Sequence, residues 1–210
     1  MSGLLNQHGE SILTLKNSIR DTQVATNIYF RLAGEVGVGK STLFARFKDL
    51  NGPPYDETTE IPHFNRSVFG VNAELEPGWN SGLYAVIVDF EPAPDPWAAY
   101  AASFRTAAPL LGAIVFCIDV NEREQIASLE GRVAAYRRYF RQNMPPFILV
   151  GTKMDLRDDT LEEQPGFSTH EGNILASVIR ATGYFECSAW ENVGVRQLFD
   201  NILRLVVSHT

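Results

Sequence analysis

From residue 26 onward, short apolar runs alternate with longer stretches whose apolar positions recur at helical spacing. The runs at 27–33, 64–75, 83–89, 113–119, 147–151 and 184–187 have the length of strands, and helices are predicted after Lys40, Pro96, Arg123, Gly172 and Val195. Strands separated by helices in this way specify a largely parallel sheet covered on both faces. Between the second and third runs, Glu76-Pro77-Gly78-Trp79-Asn80-Ser81-Gly82 is rich in turn formers, which predicts a hairpin and one antiparallel edge strand. The expected fold is α/β: a six-stranded, mostly parallel sheet flanked by about five helices, without internal repeats or a linker to a second domain. Residues 1–25 are more polar, with Leu5, Ile12, Leu15 and Ile19 near helical spacing. They read as a short amphipathic N-terminal extension, either self-packed or a docking helix for a partner, ahead of a domain at 26–210.

Composition narrows the class. With 45% hydrophobic and 20% charged residues, the 210-residue chain can bury a core. Eighteen Lys and Arg against twenty-five Asp and Glu leave a net charge of −7, which opposes binding to nucleic acid or anionic lipid. Cys117 and Cys187 both lie in apolar runs, so neither a disulfide framework nor a cysteine zinc site is expected, and the cytoplasm is the expected compartment. Secretory, membrane-spanning, myristoylation and prenylation signals are not expected, so a direct lipid anchor is not either. His8, His63, His170 and His209 are dispersed without metal-ligand spacing.

The first strand runs into Gly34-Glu35-Val36-Gly37-Val38-Gly39-Lys40-Ser41, a full GxxxxGKS pattern with a strand before it and a helix after. Bare backbone amides from Gly34 to Gly39, Val36 and Val38 included, can surround a polyphosphate. The helix's positive end, Lys40 and the first-turn Thr42 add to the cradle, and Ser41 can ligate Mg²⁺.

At the end of the fifth strand, Gly151-Thr152-Lys153-Met154-Asp155-Leu156 places a carboxylate on the ligand edge of an open α/β sheet. That carboxylate can accept both hydrogen bonds from the N1–H and exocyclic amine of guanine, whereas adenine has no matching donor pair. Glu186-Cys187-Ser188-Ala189 leaves the last strand into a loop whose amides can meet the base's 6-oxygen.

These segments resemble the Ras superfamily of small GTPases over roughly residues 26–207, and Phe147 to Asp159 is similar to Rho and Rac members. The resemblance implies a P-loop G domain, guanine nucleotide (GTP or GDP) with Mg²⁺, and two switch segments that sense the γ-phosphate. It also implies effector or scaffold partners at the switch region. Tyr55-Asp56-Glu57-Thr58-Thr59-Glu60 corresponds to the first switch, with either Thr58 or Thr59 as the metal-binding threonine, and Asp89 corresponds to the aspartate that meets Mg²⁺ through water.

The chain departs from this pattern at several positions. The family's DxxG reads Asp89-Phe90-Glu91-Pro92 here; proline has no N–H, and no glycine occurs between Gly82 and Gly112. The water-orienting glutamine that follows is Ala93. Val36 replaces a loop glycine and crowds the place of a water or an arginine finger, while Pro92, Pro94 and Pro96 stiffen the second switch. Glu35, Glu91 and Asp95 are alternative groups to orient water. No catalytic residue is therefore assigned, and the expected function is a GTP-binding switch or locked effector module with slow or absent hydrolysis. The alternative is a pseudo-GTPase acting as a structural subunit. The stretch between Asp159 and Gly172 is also shorter than the insert helix of Rho proteins.

Overall fold

Alternate residues of the first strand, β1 (Asn27–Ala33), serve two different cores. Ile28, Phe30 and Leu32 enter one cluster, and Tyr29 and Ala33 enter another. A strand whose successive side chains point to opposite faces does this only when both faces are covered. β4 (Ala113–Asp119) repeats the pattern: Ala113, Val115 and Cys117 face the first core, while Ile114, Phe116 and Ile118 face the second.

The computed structural model describes residues 27–62, 66–73, 82–90, 111–157 and 166–207. They form a six-stranded sheet in the order β2-β3-β1-β4-β5-β6, where β2 is Arg66–Ala73, β3 is Gly82–Phe90, β5 is Phe147–Thr152 and β6 is Tyr184–Glu186. All neighbours run parallel except β2 and β3, which pair antiparallel from Arg66↔Asp89 to Ala73↔Gly82, so the hairpin edge was read correctly. β2 falls within the expected run 64–75, the ends of which lie outside the described residues, and β6 ends at Glu186, one residue before Cys187. The N-terminal extension, most of the hairpin turn and the helix expected after Pro96 lie outside the described residues.

The described residues contain four helices. α1 (Lys40–Lys48) and α4 (Val195–Val207) cover one face: Leu43, Phe44 and Phe47 meet Leu198, Phe199 and Ile202, with the Phe47 and Phe199 rings 4.9 Å apart. α2 (Gln125–Phe140) and α3 (Thr169–Val178) cover the other, and α2 buries Leu129, Val133, Tyr136 and Phe140 along a single helical stripe. Phe90, at the end of β3, is 7% exposed and packs edge-on against Phe44. Arg141 falls beyond α2 in a 3₁₀ turn, and Arg137 donates across to the Ile179 carbonyl, tying α2 to the end of α3.

α3 begins at Thr169 rather than after Gly172. The Ser168 hydroxyl accepts from the Glu171 N–H, and the Glu171 carboxylate accepts from the Ser168 N–H: a reciprocal capping box that satisfies two orphan donors of the first turn. Gly172 then lies inside the helix for a packing reason. A Cβ there would come 2.0 Å from the ring of Tyr184, and a Cβ on Gly151 would come 2.4 Å from the same tyrosine's hydroxyl.

Candidate functional site

The carboxyl ends of β1, β5 and β6 converge on one edge of the sheet. After β1, the loop from Gly34 to Gly39 turns through three glycines of positive φ: Gly34 at 144°, Gly37 at 87° and Gly39 at 92°. A side chain on Gly34 would drive its Cβ to 2.4 Å from the Cys117 carbonyl oxygen, whereas Gly37 faces open space. Val38 is completely buried and anchors the loop in the first core; Val36 points outward and is 71% exposed. The Lys40 ammonium donates to the carbonyls of Gly34 at 2.8 Å and Glu35 at 2.5 Å, holding it against the backbone of its own loop. α1 begins at Lys40 with Ser41 and Thr42 behind it; no side chain caps its amino end and no acidic residue occupies its first turn. Its amide dipoles are thus left to favour an anion.

Thr152 ends β5 and joins the two halves of the site. Its buried hydroxyl lies 2.6 Å from the Val38 carbonyl and 2.9 Å from that of Ile118. Lys153 follows in the left-handed region at φ 57°, with its ammonium 2.8 Å from Asp119 Oδ2. Asn121 donates to both Asp119 Oδ1 and the Lys153 carbonyl, closing this corner. The 3₁₀ turn Met154–Leu156 then presents Asp155 and Leu156 to solvent.

Behind that turn, Arg157 grips Glu186 in a fork, its two terminal nitrogens 3.1 and 2.6 Å from the carboxylate oxygens. Tyr184 and Thr169 also donate to this carboxylate. Burial pushes the Glu186 carboxyl upward, but the hydrogen bonds from Arg157, Tyr184 and Thr169 outweigh it and leave the group below its ordinary value. Burial, reinforced by Glu186, raises the Tyr184 hydroxyl. The pair is a fastening for the turn that carries Asp155, two residues away.

The loop after β6 is tied as tightly. The Cys187 N–H donates to the Gly151 carbonyl, and Ser188 and Val193 exchange backbone hydrogen bonds at 2.9 Å each. Cys187 is wholly buried and its thiol is pushed up by that burial, which leaves it inert. Both cysteines are free.

Between these loops lies a cavity of about 270 Å³, lined by Gly39, Thr42, Thr152, Lys153, Asp155, Leu156, Ala189 and Trp190. Small-ligand pockets begin near 300 Å³, so the space suits a heterocycle rather than an entire cofactor. Seven of its eight lining residues belong to the segments singled out by sequence, 34–42, 151–156 and 186–189; Trp190 lies one residue past the last of them. Ser188 is buried, Gly34, Val36, Gly37 and Val38 form the adjoining loop, and Lys40 and Ser41 open α1.

The two threonines considered for the metal stand on another loop. Thr58 and Thr59 donate their hydroxyls to Asp56 Oδ1 at 2.7 and 2.9 Å, and these bonds hold the Asp56 carboxyl below its usual range. Asp89 is the penultimate residue of β3, in register with Arg31 of β1. Among the described residues, no group of three His, Cys, Asp or Glu side chains gathers to hold a metal. Hydroxyls such as Ser41 suit Mg²⁺, which keeps waters and takes phosphate oxygens rather than needing a protein cage.

A glycine loop on β1 joined through Thr152 to a cavity at the ends of β5 and β6 defines a P-loop α/β domain. The comparisons carry this further: a model of the Ras family matches residues 100–208. The Rho-related GTP-binding protein RhoH of Mus musculus is 27% identical over 184 residues, 84% of this chain and 86% of that protein. GTP-binding protein RHO1 of Saccharomyces cerevisiae is 35% identical over 98 residues, 43% of this chain and 46% of its own length. Rho-related protein racI of Dictyostelium discoideum is 31% identical over 105 residues, 46% and 51% of the two chains. The chain belongs to the Ras family and is a divergent, Rho-like member of it, a family whose members bind GTP and act in signalling. No described helix is long and apolar enough to cross a membrane.

Proposed function

We propose that a domain spanning residues 26–210, preceded by an extension at 1–25, binds guanine nucleotide with Mg²⁺ and hydrolyses GTP slowly or not at all, acting as a locked module for effector or scaffold proteins. The observation that supports this best is the cavity in which Asp155, Lys153 and Ala189 face Gly39 and Thr42 across a space of base size. In this reading Asp155 accepts from the N1–H and exocyclic amine of guanine, the Ala189 amide meets the 6-oxygen, and Lys153 and Leu156 flank the ring. Gly37, Gly39, Lys40, Ser41 and Thr42 hold the phosphates. Bound Mg²⁺, held by Ser41 with Thr58 or Thr59 and with Asp89 through water, would neutralise phosphate charge.

Slow turnover follows from Pro92 and Val36, besides Ala93 in place of the water-orienting glutamine. An amide at position 92 is absent because Pro92 has none, and the exposed Val36 side chain fills space above the loop. Loss of one positioned donor costs about 10²- to 10³-fold in rate, and an excluded arginine finger forfeits about 10³- to 10⁵-fold.

Chromatography of the nucleotide released on denaturing the purified protein, followed by single-turnover GTP hydrolysis, tests the proposal. GDP or GTP in the released fraction and guanine affinity that falls sharply in Asp155→Asn support it; full retention of affinity in that variant removes the base assignment. A protein that neither carries nor takes up guanine nucleotide would be a structural subunit built on the fold, the reading that Pro92 also favours.

A further inference from the structure

A guanidinium on a short outer helix ordinarily reaches for water along its aliphatic stem. Arg46, on α1, is instead wholly buried. Each edge of its fork is met by a backbone carbonyl: Nε donates to Ala189 at 2.9 Å, Nη1 to Pro53 at 2.9 Å and Nη2 to Trp190 at 3.4 Å. The ring of Tyr55 lies 3.7 Å from the guanidinium carbon. The Tyr55 N–H donates to the Trp190 carbonyl at 2.8 Å, and the two aromatic rings meet edge-on at 5.8 Å.

Burying a cation is strongly unfavourable unless its donors are satisfied, so filling this space would be easier for leucine or methionine. What an aliphatic side chain cannot do is bind three carbonyls from two loops at once. Arg46 and Ala189 are 143 residues apart in sequence, and one of the loops walls the cavity while the other leads directly into the Asp56–Thr59 turn.

We propose that Arg46 is a positioning residue for the base: it fixes the Ala189–Trp190 backbone against the cavity and, through the same fork, couples that wall to Tyr55 and the threonine turn beyond it. The inference rests on the reading of the cavity as a guanine site. Because coupling between sites is reciprocal, a partner that draws Tyr55 away from the guanidinium loosens the base, and departure of the base frees the threonine turn.

The full chain tests this with Arg46→Lys, which keeps a charge but loses the planar fork, and with Tyr55→Ala, which removes only the stacked ring. Binding is measured for GDP and for its 2-aminopurine analogue, which lacks the 6-oxygen and with it the N1–H, so that only the change of preference between wild type and variant reports the 6-oxygen contact, and amide hydrogen exchange is followed at 53–60 and 187–192. In the wild type GDP binds more tightly than the analogue. In Arg46→Lys that preference shrinks about tenfold, as loss of one well-placed hydrogen bond requires, and exchange rises in both segments together. Equal weakening of both ligands, or an unchanged preference, overturns the proposal and leaves the base reading intact. A wild type without preference for GDP overturns the base reading, and this inference with it. Should Arg46→Lys fail to fold, Tyr55→Ala decides: exchange at 187–192 rises if the loops are coupled, and unchanged exchange there refutes the coupling.

Discussion

The Thr152 hydroxyl donates to the Val38 carbonyl at 2.6 Å, joining the end of β5 to the glycine loop through a single buried side chain. Valine has nearly the same shape but no donor, so Thr152→Val leaves that carbonyl unpaired and severs the link. A loss of about 1–3 kcal/mol in urea denaturation is expected, together with faster release of labelled GDP. An unaltered denaturation midpoint would mean that the tether contributes nothing to the fold.

Gly34 and Gly37 separate two demands on the same loop. Both have positive φ, but a Cβ on Gly34 meets the Cys117 carbonyl at 2.4 Å while one on Gly37 meets nothing within 4 Å. Gly37→Ala therefore bears only backbone strain of about 1–2 kcal/mol. Gly34→Ala adds a clash with a central strand and loses more. Thermal melts of the two variants side by side check this order, and a Gly34→Ala protein as stable as Gly37→Ala contradicts it.

Glu171 gives the fold a pH signature. Hydrogen bonds from Arg123, then from the Ser168 backbone and hydroxyl, hold its carboxyl down to about 2 from 4.5. A depressed value means that the unfolded chain takes up the proton first, so the stabilisation is present above about pH 4.5 and is lost as pH falls towards about 2. Both partners are about 40% exposed (42% for Arg123 and 38% for Glu171), so salt screens part of the effect. The stability gap between wild type and Glu171→Gln should close across that window; a gap independent of pH would show that the carboxylate's charge is not what matters. Ser168→Ala should cost about 0.5–2 kcal/mol at neutral pH through loss of the cap.

Glycine at position 36 isolates one of the obstacles to hydrolysis proposed above. With Pro92 still present, single-turnover GTP cleavage by Val36→Gly should stay far below that of an assisted GTPase, because the missing amide alone costs about 10²- to 10³-fold. Brisk cleavage in this variant would place the whole defect at Val36.

Much of this was legible from residue type and order. β1 and β4 have the expected bounds because their apolar runs stop at a glycine turn and at Asp119. The antiparallel edge announced itself through the turn residues before Gly82. The start of α3 was equally readable, since Ser168-Thr169-His170-Glu171 is a capping box, but the apolar spacing drew attention to the residues after Gly172 instead. Arg46 was not legible: on a helix with alternating polar positions, an arginine looks solvated, and only the approach of loops distant in sequence reveals three carbonyls waiting for it. Asp119 and the tethering role of Thr152 escaped for the same reason, as their partners Lys153 and Val38 come from the ends of other strands.

Tyr184 occupies room vacated by two glycines at once, Gly151 beneath its hydroxyl and Gly172 against its ring. These three positions are therefore one inheritance. A methyl gained on either neighbour has nowhere to go until the phenol shrinks, and a smaller residue at 184 would leave a hollow that invites the methyl. Kindred chains that diverge here should change the trio in concert, and the fork of Arg157 on Glu186 should weaken wherever the phenol's hydroxyl is lost.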